Sequence, residues 1–151
     1  MNSRKGTFIS FEGIDGSGKS TQIKRLFDSL VSNNIDAILV REPGGTQIGE
    51  KIRSILLEKD YVGMTPVTEL LLYEAARAQI VAEVIIPSLS EGKTVICDRF
   101  FDSTLAYQGY ARGLSLESVD FLNHLSTGGV EPDVTFLLDI EPEKAALRMR
   151  N

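Results

Sequence analysis

Four short runs of β-branched and apolar residues punctuate the chain, at Thr7–Phe11, Ala37–Val40, Thr94–Cys97 and Val134–Leu138. Each is nearly continuous in apolarity rather than alternating, which suits strands buried on both faces of a parallel sheet. Between them apolar positions recur at helical spacing. Ile23, Leu26, Phe27, Leu30 and Val31 form one stripe, and Ile48, Ile52, Ile55 and Leu56 share another behind a Thr46 cap. A longer helix opens at Thr65-Pro66, a cap residue followed by proline at the first helical position. Pro87 is expected to kink or end it, and Gly92 follows. Leu116, Val119, Leu122 and His124–Leu125 mark a further helix closed by Thr127-Gly128-Gly129. Strand–helix alternation with right-handed crossovers predicts an α/β fold, a doubly wound parallel sheet with helices on both faces. Without repeats or a linker, residues 1–151 are expected to form a single domain. Its end is unusual. Val134–Ile140 reads as a strand, and Pro142–Arg150 starts a helix whose cationic side has just emerged when the sequence stops, so a chain incomplete at its C-terminus is expected.

Composition narrows the class. At 151 residues, 42% hydrophobic and 25% charged, the chain has the make-up of a soluble globular domain. Its net charge of −5 argues against nucleic-acid binding by a basic face. No apolar stretch approaches the ~20 residues that span a membrane. Cys97 is the one cysteine, so no disulfide framework exists and a reducing compartment, the cytoplasm, is expected.

The sharpest chemical signal is Gly13-Ile14-Asp15-Gly16-Ser17-Gly18-Lys19-Ser20, followed by Thr21, a match to G-x-x-x-x-G-K-[ST] between a predicted strand and a predicted helix. Such a loop wraps backbone N–H groups around phosphates at a helix N-terminus. Lys19 would reach the β/γ-phosphates of a nucleoside triphosphate and the Ser20 hydroxyl would ligate Mg²⁺. A guanine-reading Asn-Lys-x-Asp segment follows none of the strands, which disfavours a GTPase.

In open α/β sheets ligands bind outside the carboxyl ends of the strands. The first strand is followed by Glu12 and the loop, the second by Arg41-Glu42-Pro43-Gly44-Gly45, the third by Asp98-Arg99. Asp98 would hold Mg²⁺, directly or through water, if the third strand neighbours the first. Arg41 and Arg99 would clamp an anion, with internal Asp98–Arg99 or Arg41–Glu42 pairing as the alternative. Tyr73 and Arg77 lie one helical turn apart, and Arg77 interrupts an apolar stripe, where it needs an anion or carbonyl. A base stacked on Tyr73 would account for both; so would a core tyrosine beside a snorkelling arginine. His124, the lone histidine, reads as structural.

With these residues assembled, the chain resembles the thymidylate kinase (dTMP kinase) family of P-loop nucleoside monophosphate kinases, from Phe8 to about Arg150. The likeness rests on Phe11–Thr21, Arg41–Gly45, Tyr73–Gln79 and above all Asp98–Gln108. The resemblance implies transfer of the ATP γ-phosphoryl group to dTMP, giving ADP and dTDP, in a cytoplasmic homodimer joined through long helices such as 66–90. It assigns Asp15 to the acceptor sugar's 3′-hydroxyl, Arg41 and Arg99 to the acceptor phosphate, and Arg53 to a weaker phosphate contact. Tyr73 takes the place of the aromatic that stacks on thymine, and Arg77 that of the arginine at the base edge or phosphate. Ser103, Thr104 and Gln108 resemble polar edge readers, and Tyr107 the ring that crowds the sugar 2′ position. Gly16-Ser17 contributes no arginine within the loop, and Arg148 and Arg150 resemble the start of a lid that supplies one. The fifth strand and much of the adenine site would lie beyond Asn151. Another nucleotide or deoxynucleoside kinase, or a nucleotide-binding module with little turnover, stands as the alternative.

Overall fold

A computed structural model describes residues 6–58 and 63–150, the side chain of Arg150 excepted. It contains a four-stranded sheet of order β2-β3-β1-β4, built from β1 (Phe8–Glu12), β2 (Ala37–Arg41), β3 (Thr94–Asp98) and β4 (Val134–Leu137). β1 runs parallel to both neighbours, with Phe11 opposite Asp98 on one side and Phe136 on the other. All four strands and the parallel arrangement follow the apolar runs in the sequence. Burial on both faces holds for the central pair only: Phe8, Val95, Ile96 and Cys97 are fully buried, whereas the residues of β4 are exposed and those of β2 mostly partly so. Apolar continuity records β-propensity as well as burial, so it does not separate central strands from edge strands.

The helices are α1 (Lys19–Ser32), α2 (Gln47–Leu57), α3 (Pro66–Ile80), α4 (Ile86–Ser90), α5 (Phe101–Thr104), α6 (Leu116–Thr127) and α7 (Pro142–Arg150). Two π-helical turns interrupt them, Val81–Ile85 and Leu105–Ala111. The predicted caps form: the hydroxyls of Thr46 and Thr65 accept from the Gly49 and Thr68 N–H groups. Pro87 neither ends the long helix nor simply kinks it. Its missing N–H leaves the preceding turn to widen into a π segment, and the helix then runs on to Ser90 before Gly92 turns the chain. The helical stretch at residues 101–111 was not foreseen, because its polar residues show no apolar stripe.

The chain divides into two compact units. One comprises Met1–Val40, Ser88–Phe100 and Pro132–Asn151, the other Arg41–Pro87 and Phe101–Glu131. In the first, Phe11, Ile23 and Ile96 form the core between the sheet and α1, flanked by Ile9, Leu26, Phe27, Leu30 and Leu138. Phe8, two residues from Ser10 and therefore on the same face, packs edge-on against Phe100 with ring centres 4.9 Å apart. The second unit is helical, and Leu70, Ala76, Ile80, Ile85 and Val119 are buried in it. Chain order places the reversal of winding between β1 and β3, so the loops leaving those two strands border the crevice where α/β sheets hold ligands.

Candidate active site

β1 delivers the glycine-rich loop in the first unit. Gly13 and Gly16 hold positive φ values of 139° and 80°, and neither could carry a side chain. A Cβ on Gly13 would lie 2.7 Å from the Leu138 carbonyl oxygen, and one on Gly16 2.5 Å from that of Ala145. The loop folds onto Lys19. This first residue of α1 is 6% exposed, and its ammonium donates to the carbonyls of Gly13 at 2.8 Å and Ile14 at 3.3 Å. Asp15 Oδ1 lies 4.0 Å from the same nitrogen. Burial pushes the Lys19 pKa down and the Arg99 charge adds to this, while Asp98, Asp15 and Glu12 pull it back. Ser20 and Thr21 face solvent. Arg148 of α7 donates to the carbonyls of Ser17 at 3.2 Å and Gly16 at 3.4 Å. The side chain of Arg150 lies outside the described residues.

β3 supplies the second half. β3 neighbours β1, which meets the condition set for Asp98, and Asp98 ends the strand opposite Phe11. Asp98 Oδ1 is buried with no hydrogen-bond partner among the described residues, the state of a carboxylate oxygen shaped for a cation or its water. Arg99 then takes a left-handed turn, φ 71°, and its guanidinium meets Asp15 Oδ1 at 2.6 Å. Lys19, Asp15, Asp98 and Arg99 thus share one end of the sheet, together with Glu12, whose significance the sequence reading did not recognise.

In the second unit Arg41 pairs with Glu50 rather than with the adjacent Glu42. Glu50 also accepts from the Gly45 N–H at 2.7 Å, and that bond, then Arg41, holds its carboxyl below the usual range. Arg53 donates to the Pro43 carbonyl at 2.8 Å, so both arginines brace the turn that follows a cis Glu42–Pro43 peptide.

Arg77 does not snorkel. It is 2% exposed and donates to Glu42 at 2.8 Å, Glu74 at 3.0 Å, Asn123 at 2.8 Å and Thr104 at 2.9 Å. Glu74 also accepts from the Ser126 hydroxyl. Thr104 and Gln108 are buried, with Thr104 bound to Arg77 and Gln108 donating to Glu69. Tyr73 and Ser103 are partly buried, and Tyr107 stands exposed on a π turn. The anion that Arg77 requires is therefore at least partly supplied by the protein. Glu74, three residues before Arg77, was findable from helical spacing; Glu42 and Asn123, distant along the chain, were not.

Comparison with known proteins accords with this arrangement. The profile of the family described as thymidylate kinase matches residues 11–151. A thymidylate kinase of Pelodictyon phaeoclathratiforme is 59% identical over 140 residues, covering 93% of this chain and 64% of the relative. One from Thermoanaerobacter sp. is 55% identical, covering 95% and 70% respectively. The crystal structure of thymidylate kinase from Ehrlichia chaffeensis superposes with a TM-score of 0.84 at 43% identity, covering 96% of this chain and 82% of the other. The chain therefore spans about two thirds of the length of these curated relatives. A glycine-rich loop closed on Lys19, an Asp-Arg pair at the end of the neighbouring strand and agreement in sequence and fold lead to one conclusion: this chain belongs to the thymidylate kinase family.

Proposed function

We propose that the protein transfers the γ-phosphoryl group of ATP to dTMP, giving ADP and dTDP. The observation that carries the reading is the convergence of two cations at the loop, the Lys19 ammonium and the Arg99 guanidinium lying 4.0 and 2.6 Å from the same Asp15 Oδ1. Such a pair is poised for a polyanion. On binding, phosphate oxygens take over the Lys19 donors now held by the Gly13 and Ile14 carbonyls, and the remaining loop residues offer backbone N–H groups. Arg148, already over the loop, is read as a further cation for the transferring group.

An acceptor oxygen attacks the γ-phosphorus, and the bond to the bridging β–γ oxygen breaks as ADP leaves. The acceptor is a phosphate monoester with a second pKa near ~6, so at neutral pH it is already a dianion and needs no general base. What the protein contributes is alignment and charge neutralisation. Ser20 and Asp98 are the residues that would hold Mg²⁺, directly or through water, and the unsatisfied Asp98 Oδ1 fits that task. When bound, Mg²⁺ neutralises phosphate charge. Asp15 is read on the acceptor's 3′-hydroxyl, Arg41, Arg53 and Arg99 on its phosphate, Tyr73 and Arg77 on thymine, and Ser103, Thr104, Tyr107 and Gln108 around base and sugar.

We read the working form as a cytoplasmic homodimer. Ile48, Ile55 and Leu57 of α2, Val67 and Leu71 of α3 and Phe121 and Leu125 of α6 are exposed apolar side chains of the second unit, which favour burial against a second copy. Light scattering on the eluting peak gives the mass directly. The activity is tested by coupled ADP release with dTMP, dUMP and dCMP. Preference for dTMP is expected, the methyl group alone contributing ~1–3 kcal/mol. ADP release no faster with dTMP than without acceptor would refute the reading.

A further inference from the structure

We infer that Glu12 is a positioning residue, whose carboxylate holds the main chain so that Arg99 stays in its left-handed conformation. The inference rests on the reading of Arg99 as a clamp on the acceptor phosphate.

Arg99 is a non-glycine residue at φ 71°, a region that a Cβ makes unfavourable. Such a residue persists only where its surroundings over-determine it. Hydrogen bonds to the main chain around it do so here. The Arg99 N–H donates to the Phe11 carbonyl at 3.0 Å. Its own carbonyl accepts from the Cys97 thiol at 2.9 Å. The next N–H, of Phe100, donates to Glu12 Oε1 at 2.7 Å. The Arg99 carbonyl and the Phe100 N–H belong to the one peptide that leaves Arg99, so the Cys97 thiol holds its oxygen and Glu12 holds its N–H. Phe100 is also anchored by its ring, edge-on to Phe8, so the turn is gripped on both sides.

Glu12 suits this task and not a proton-transfer task. It is 5% exposed and serves a buried backbone donor, which would otherwise be stranded away from water. A carboxylate accepting from an N–H makes a shorter and stronger bond than a neutral acceptor. It also ties the end of β1 to the end of β3, so the loop bearing Lys19 and the turn bearing Arg99 share one anchor.

The test uses Glu12→Ala, Glu12→Asp and Glu12→Gln in the full chain. Alanine removes the acceptor, aspartate withdraws it by one methylene while keeping the charge, and glutamine keeps an acceptor at full reach. The expected result is a kcat loss of about 10²-fold for Glu12→Ala and a loss in the same direction for Glu12→Asp. Glu12→Gln should stay within about threefold of wild type. In an Arg99→Ala background the Glu12→Asp loss should vanish, because the two residues act as one unit. Hydrogen exchange at the Phe100 amide should accelerate roughly tenfold in Glu12→Asp and not in Glu12→Gln.

Wild-type kcat in Glu12→Asp, or a Glu12→Asp loss that persists undiminished in the Arg99→Ala background, would overturn the inference. Should Glu12→Ala fail to fold, the aspartate and glutamine variants decide. A wild-type chain that transfers nothing to dTMP would refute the functional reading, and the Phe100 exchange rates would still judge the tether.

Discussion

A single guanidinium nitrogen of Arg41 bridges both carboxylate oxygens of Glu50, at 2.9 and 3.0 Å, while one of those oxygens also takes the Gly45 N–H. One exposed carboxylate thus governs both a cation expected to meet phosphate and the turn that carries it. The Glu50 pKa is lowered, first by the Gly45 bond and then by Arg41. A depressed folded pKa means that this contribution is complete above the ordinary glutamate value of about 4.3 and is lost as pH falls through the lower folded value. The Gly45 amide shift followed against pH should titrate with a midpoint below the ordinary glutamate value, and Glu50→Gln should abolish the step. A midpoint at or above that value would contradict the tie.

Arg99→Gly separates activity from stability. Glycine adopts positive φ freely, so the substitution relieves a conformation unfavourable by about 1–2 kcal/mol. The Asp15 partner is 78% exposed, and such a pair contributes little. Urea unfolding should show equal or greater stability, while turnover in the ADP-release assay falls by at least ~10²-fold. A marked loss of stability would show that the side chain, not the function, holds the turn.

Arg77→Met should cost stability. It strands the Glu42 and Glu74 carboxylates, both with side chains about as buried as that of Arg77 itself. Removing one partner of a buried ion cluster costs about 3–5 kcal/mol. Adding Glu42→Gln and Glu74→Gln should recover part of that loss, measured as the shift in denaturation midpoint.

Two glycines with similar backbones should answer differently to alanine. Gly45 at φ 81° and Gly113 at φ 71° both lie in the left-handed region. A Cβ on Gly113 meets open space, whereas one on Gly45 collides with Cδ1 of the fully buried Ile80. Gly45→Ala should therefore lose about 1–3 kcal/mol more than Gly113→Ala in parallel melts.

Much of this was legible in one dimension because it is local. The apolar runs, the Thr46 and Thr65 caps and the phosphate loop are each written in a few consecutive residues, and the ends of β1 and β3 disclosed Lys19, Asp98 and Arg99 together. Pairings across long separations were not legible. Arg77 read as an arginine in need of an anion, yet Glu42 and Asn123 stand 35 and 46 residues away, and no periodicity connects them. The partners of Thr104 and Gln108, Arg77 and Glu69, were hidden for the same reason, since they belong to another helix. The helix and π turn over residues 101–111 escaped because a segment rich in polar contacts shows no apolar stripe. Glu12 escaped because its partner is a main-chain N–H, which every residue but proline possesses.

The buried thiol of Cys97 has a practical consequence. It is fully shielded, faces Ser10 across the central strand pair and is the chain's sole cysteine. A thiol reagent can reach it only when that pair separates, so the labelling rate is a clock for opening of the sheet in unmodified protein. A nucleotide that binds only the closed form slows the clock by a factor of one plus the ratio of its free concentration to its Kd, about 100-fold at a hundred times that Kd. Affinities for donor and acceptor can thus be timed on the wild-type molecule, without turnover and without an attached probe.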